Sequence, residues 1–103
     1  MARSCLTADP KAAGHIAEVL KAVAHPLRVR IVAILCEGEE TVSGLVERLE
    51  APQPIVSQQL GILRSHGLVA VDRVNGFAHY RLQEKNLRGL VACMEKCSAG
   101  RPR

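Results

Sequence analysis

The chain has 103 residues, 48% hydrophobic and 23% charged, with a formal net charge of +4. That suffices for a single domain over 1–103 with a modest core, which must be aliphatic because Tyr80 and Phe77 are the only aromatics. The longest apolar run, Ile31 to Cys36, is too short for a membrane span, and "MARSCLTADP" lacks the apolar segment of a secretory signal, so a cytoplasmic protein with no membrane partner is expected.

Residues 1–9 read as a flexible N-terminal arm. Asp9-Pro10 then opens a helix over about 10–24, with Asp as N-cap and Pro in the first turn, carrying Ile16, Val19, Leu20 and Val23 on one face. "AHP" breaks it, because the residue before Pro26 disfavours helix. A second helix runs from Pro26 to Gly38 and is apolar on two faces, which predicts a central position. Thr41 or Ser43 can cap a short third helix presenting Leu45, Val46 and Leu49 inward.

"EAPQP" is a tight turn, and Gln53-Pro54 opens a fourth helix that ends at Gly67. Its inward stripe is Val56, Leu60 and Leu63, which sends Pro54, Ser57, Gln58 and Gly61 outward. "LVAVDRV" and "FAHYRL" are β-prone runs joined by Asn75-Gly76, the strongest two-residue hairpin signal. A last helix over about 83–97 carries Leu87, Leu90, Val91 and Met94 at helical spacing, and residues 98–103 form a flexible basic tail.

The predicted fold is mainly α with a small β-hairpin, in the element order of a winged helix-turn-helix. Charge fits that use. Residues 37–63 hold five acidic side chains and one basic, whereas residues 64–103 hold eight basic and three acidic, which favours a polyanionic partner. Double-stranded DNA is the expected partner. Gln53, Pro54, Ser57, Gln58 and Gln59 on the fourth helix are candidate major-groove contacts, since hydroxyl and amide groups match base edges. Arg64 and, on the wing, Arg73 and Asn75 are candidate backbone contacts, with Arg28 and Arg30 as further phosphate ligands. The competing reading is a winged-helix module used only for protein contacts. No Gly-rich phosphate loop, paired acid or nucleophile elbow is present, so an enzyme is not expected.

The segments "LKAVAHPLRVRIVAIL", "PQPIVSQQLGILRSHGLV" and "NGFAHYRL" resemble the ArsR/SmtB family of small dimeric bacterial repressors, over roughly residues 14–97. "EGEETV" followed by "QPIVSQQLGILR" is most similar to the branch of BigR-type reactive-sulfur sensors. The resemblance implies a homodimer joined through the first and last helices. It also implies an imperfect palindromic operator and release when an inducer binds. The apolar stripe of the last helix, which a small monomer would leave bare, supports dimerisation independently.

Four cysteines, Cys5, Cys36, Cys93 and Cys97, are candidates for the sensor. In a reducing compartment they point to metal or redox chemistry rather than a disulfide framework, the bland reading of each being a small buried hydrophobe. The Cys-x-Cys arsenical site that the resemblance implies at the third helix is absent, because that segment reads "TVSGL". The zinc or nickel site implied on the last helix is incomplete: Glu84 fits its first position, but Asn86 stands where a His is wanted. BigR-type sensors pair a cysteine on the second helix with one on the last, and Cys36 and Cys93 or Cys97 are offset from those positions.

Cys93 and Cys97 themselves lie about 40° apart on one helix face and flank the apolar stripe. Together with Cys36 or Cys5 they can hold a thiophilic ion such as As(III), Sb(III) or Cd(II). The alternative is bridging of Cys36 to Cys93 or Cys97 under reactive sulfur. Cys36 ends its helix beside Glu37, Glu39 and Glu40, a setting that raises a thiol pKa and disfavours fast peroxide sensing. His15, His25, His66 and His79 show no ligand spacing.

Overall fold

The computed structural model describes residues 5–99. Two of its helices begin at a proline and a third begins just after one. α2 (Pro10–Val23) is capped by Asp9, whose Oδ1 accepts from the Lys11 N–H at 2.9 Å. α3 (Pro26–Glu37) is capped by His25, whose Nδ1 accepts from the Leu27 N–H at 3.1 Å. α5 (Gln53–Ser65) follows Pro52 and has no side-chain cap. Between them, Thr41 rather than Ser43 caps α4 (Val42–Leu49), its Oγ1 accepting from the Gly44 N–H at 3.1 Å.

α5 stops at a left-handed Gly67, φ 73°, where the Leu68 N–H folds back to the Leu63 carbonyl at 3.0 Å. This is the closure that a helix end needs to satisfy its last carbonyls. The chain then enters β2 (Val69–Val74), turns, and returns as β3 (Phe77–Leu82), with Val74 opposite Phe77 and Val69 opposite Leu82. Asn75 and Gly76 both take positive φ, 52° and 84°, as the expected hairpin turn requires.

Three local features differ from the sequence reading. Glu40–Thr41 forms a two-residue strand, β1, that pairs antiparallel with β3, so the sheet runs β1-β3-β2. Two residues carry no periodicity, and their pairing with Tyr80 and His79 is a long-range event. Cys5–Ala8 forms one helical turn, α1, inside the expected arm. The last helix, α6 (Leu87–Ala99), starts four residues later than predicted. The N–H groups of Gln83 and Glu84 both donate to the Leu68 carbonyl, at 2.9 and 3.3 Å, which holds them in a turn. The tail beyond Ala99, like residues 1–4 of the arm, lies outside the described residues.

α3 is central, as its two apolar faces predicted, and packs on α2, α4, α5, α6 and β3. Ile31, Val32 and Leu35 from it meet Leu45 of α4 and Val56, Leu60 and Leu63 of α5 in a core built from aliphatic side chains. The expectation that the α6 stripe is bare is corrected. Leu87 and Val91 are buried in this same core, and Leu90 and Met94 are half-buried. Besides Leu6, Ile55, Val74 and Phe77, the exposed large apolar side chains are two on α2, Ile16 at 39% and Leu20 at 47%. They line a groove of about 250 Å³ shared with Glu84, Asn86, Leu87 and Leu90.

Candidate functional site

α4, the turn at Glu50–Pro52 and α5 form the helix-turn-helix. The turn is tight because Glu50 closes α4 in the left-handed region, φ 51°, and Pro52 starts the next helix. Val56, Leu60 and Leu63 pin α5 to the core, which fixes what its other face presents. Gln53, Pro54, Ser57 and Gln58 are all exposed on that face. A Cβ at Gly61 would meet nothing within 4 Å, so a flat surface is open to close approach there. Arg64 at the end of α5 and Arg73 and Asn75 on the wing are exposed, and neither guanidinium makes an ion pair among the described residues.

Gln59 does not belong with that group. It is 8% exposed, and its Oε1 accepts from Arg28 Nη1 at 2.8 Å. Gln59 stands three residues after Val56 and four before Leu63, so helical geometry turns it inward. That spacing was the available signal, and the run of two glutamines masked it. Arg28 is thereby also withdrawn from the phosphate ligands, because its Nε donates to the Ala22 carbonyl at 2.6 Å. Arg30 remains exposed, but its Nη1 reaches the Leu49 carbonyl at 3.5 Å.

The cysteines divide into two settings. Cys93 and Cys97 are exposed on neighbouring turns of α6, whereas Cys36 is half-buried at the end of α3. No disulfide joins these three. α6 lies across the end of α3, where Arg88 Nη1 donates to the Cys36 carbonyl at 2.7 Å. Burial pushes the Cys36 thiol pKa up; Arg88 opposes this, while Glu95 and Glu37 add to it. The direction matches the sequence reading, but burial leads and Glu95 of α6 joins in, neither of which the local sequence around Cys36 contains.

Among the described residues no group of three or more Cys, His, Asp or Glu is gathered for a metal ion. The expected assembly of Cys36 with Cys93 and Cys97 into one three-thiolate site is therefore not formed within a protomer. Cys93 and Cys97 alone can offer two thiolates to a soft ion. The side chain of Cys5, named as a further ligand, lies outside the described structure. No helix among the described residues is long and apolar enough to cross a membrane.

Comparison with known proteins agrees with this architecture. Residues 25–71 match the family model described as bacterial regulatory protein, arsR family. A biofilm growth-associated repressor from Xylella fastidiosa is 41% identical over 81 residues, spanning 79% of this chain and 71% of the relative. The crystal structure of the transcriptional repressor BigR from Xylella fastidiosa superposes with a TM-score of 0.80 at 38% identity, covering 84% of this chain and 89% of that one. A homodimeric winged helix-turn-helix DNA-binding domain from Mycobacterium bovis superposes with a TM-score of 0.74 at 27% identity, covering 96% and 91%.

Proposed function

This chain belongs to the ArsR family of bacterial regulatory proteins, and from that membership we propose that it is a homodimeric, sequence-specific transcriptional repressor released from DNA by chemistry at its cysteines. The observation that carries the reading is the outward face of α5. Gln53, Ser57 and Gln58 stand exposed on a helix whose opposite side is anchored in the core. Polar groups held this rigidly suit hydrogen bonding to base edges in a major groove. Arg64 and Arg73 supply phosphate contacts, which give affinity and orientation without sequence preference.

A two-fold dimer presents two such helices to successive major grooves about 34 Å apart, which an imperfect palindrome matches. The open α2 groove, lined by Ile16 and Leu20, is the surface that a second copy covers. Similarity to a repressor and to a homodimeric DNA-binding domain supports both parts of the reading. It favours a repressor over a module that only contacts proteins, and over an enzyme.

For the inducer, the exposed Cys93 and Cys97 support a thiophilic ion, As(III), Sb(III) or Cd(II), held by two thiolates with further ligands from outside this set. Arsenite and cadmium compete with DNA through the dimer shape, and a coupling of about 1–3 kcal/mol suffices. A second reading is bridging of Cys36 to Cys93 or Cys97 under reactive sulfur. α6 packs across the end of α3, but the α6 residues that act on Cys36, Arg88 and Glu95, stand on the flank of the helix away from both thiols, so bridging requires α6 to turn.

Gel shift with the DNA upstream of the protein's own gene tests the repressor reading. A salt-sensitive complex that a scrambled duplex does not compete away is expected, and its absence refutes it. Mass spectrometry after arsenite, cadmium or persulfide treatment separates the two inducer chemistries. An unchanged response of Cys93→Ser and Cys97→Ser to all three refutes both.

A further inference from the structure

Gln59 is the one buried polar side chain among the described residues. A buried carboxamide has to be satisfied, and the partner here is not local. Arg28, 31 positions earlier on α3, donates Nη1 to it at 2.8 Å. The same guanidinium donates Nε to the Ala22 carbonyl at 2.6 Å. Ala22 lies in the last turn of α2, where carbonyls have no partner within the helix. Its neighbours find nearby N–H groups: the Lys21 carbonyl accepts from Ala24 and the Val23 carbonyl from His25. Ala22 is left to Arg28, and a cation at a helix C-terminus is favoured by the helix dipole as well.

One guanidinium thus joins the end of α2 to the inner face of α5. Its donors form a planar, rigid fork, so the two bonds cannot be adjusted independently. The geometry has a consequence for the residues proposed to read bases. Gln58 and Ser57 are the two positions before Gln59 on the same helix. Any rotation of α5 that takes Gln59 off Arg28 sweeps them through the same angle. With side-chain ends about 5–6 Å from the helix axis, a rotation of about 10° moves them by about 1 Å. Hydrogen bonds to base edges tolerate about half that, whereas phosphate contacts from long arginines adapt.

We propose that Arg28 is a positioning residue for operator recognition. Its clamp on Gln59 sets the rotation of α5 against the end of α2, and movement at the α2 face reaches the base contacts through it. The inference rests on the operator-binding reading, and the experiment keeps the two apart. Fluorescence anisotropy compares wild type, Gln59→Met and Gln59→Glu on the upstream promoter duplex and on a scrambled duplex of the same length. Met keeps the volume and removes the acceptor; Glu keeps an acceptor for Arg28.

Gln59→Met is expected to lose about tenfold in promoter affinity, the worth of one hydrogen bond to a charged group, while scrambled-duplex affinity stays within about twofold of wild type. Gln59→Glu is expected to stay close to wild type on both duplexes. Equal loss by Gln59→Met on both duplexes, or no loss, overturns the proposal. A wild type that does not distinguish the duplexes overturns the operator reading instead. A measurement on wild type alone guards against a variant that does not fold: the Arg28 Nη–H donated to Gln59 should exchange slowly with solvent, and fast exchange of all the Arg28 Nη–H signals overturns the clamp.

Discussion

The open face of α2 gives a quantitative test of dimerisation. Replacing Ile16 and Leu20 together by Gln keeps their Cβ and Cγ atoms packed and a good helix former in place, but puts an amide at the exposed end. In the protomer Ile16 is 39% and Leu20 47% exposed, so four- to five-tenths of each remains for a partner to cover. Fully burying such a side chain is worth about 1.5–3 kcal/mol, so the uncovered part is worth about 0.6–1.4 kcal/mol apiece. Two-fold symmetry repeats the loss in each protomer, and the total is about 2.5–5.5 kcal/mol.

The dimer dissociation constant of the double variant should therefore rise by about two to four powers of ten. Sedimentation velocity over a dilution series reads this directly, with thermal unfolding run alongside to show that the fold is retained. Operator affinity should fall in parallel, because a monomer holds only one half-site. A folded double variant that sediments as wild type does at every concentration would place the interface elsewhere and refute the reasoning.

Leu63, fully buried on α5, should cost about 3–4 kcal/mol when truncated to Ala, read from the urea midpoint; a loss under about 1 kcal/mol would contradict its place in the core. Arg64→Ala and Arg73→Ala should each flatten the slope of log affinity against log salt by about 0.9 for every phosphate left unneutralised, about 1.8 for a dimer, with sequence preference kept. Iodoacetamide followed by mass spectrometry should label the exposed Cys93 and Cys97 before the half-buried Cys36 at neutral pH. Because the folded Cys36 thiol holds its proton to higher pH than an ordinary thiol, its labelling should rise only further into the alkaline range. By the same linkage, stability should fall as pH climbs from the unfolded thiol value through the folded one. Arg88→Gln, which removes the one opposing charge, should delay Cys36 labelling further.

Much of the fold was legible because its signals are local. Asp9-Pro10, Pro26 and Gln53-Pro54 mark helix starts through fixed proline geometry and caps within a few residues. Asn75-Gly76 marks the wing because both positions must take positive φ. The outward set Gln53, Ser57 and Gln58 followed from a 3.6-residue period anchored on Val56, Leu60 and Leu63. At Gln59 two signals conflict: an amide on this helix points to DNA, while its spacing places it with the inward stripe, and burial in the core prevails.

The sequence by itself determined the succession of elements, the aliphatic core, the polar outer face of α5 and the presence of two thiols one turn apart. Those depend on residue type and short spacing. Only the tertiary structure decided that Glu40–Thr41 pairs with β3 and that Leu87 and Val91 belong to the protomer's own core. It alone brought Arg28 between α2 and α5 and laid α6 over Cys36. Each of these depends on which distant segments meet, and that is set by burial of the whole chain's apolar surface rather than by any one stretch of it.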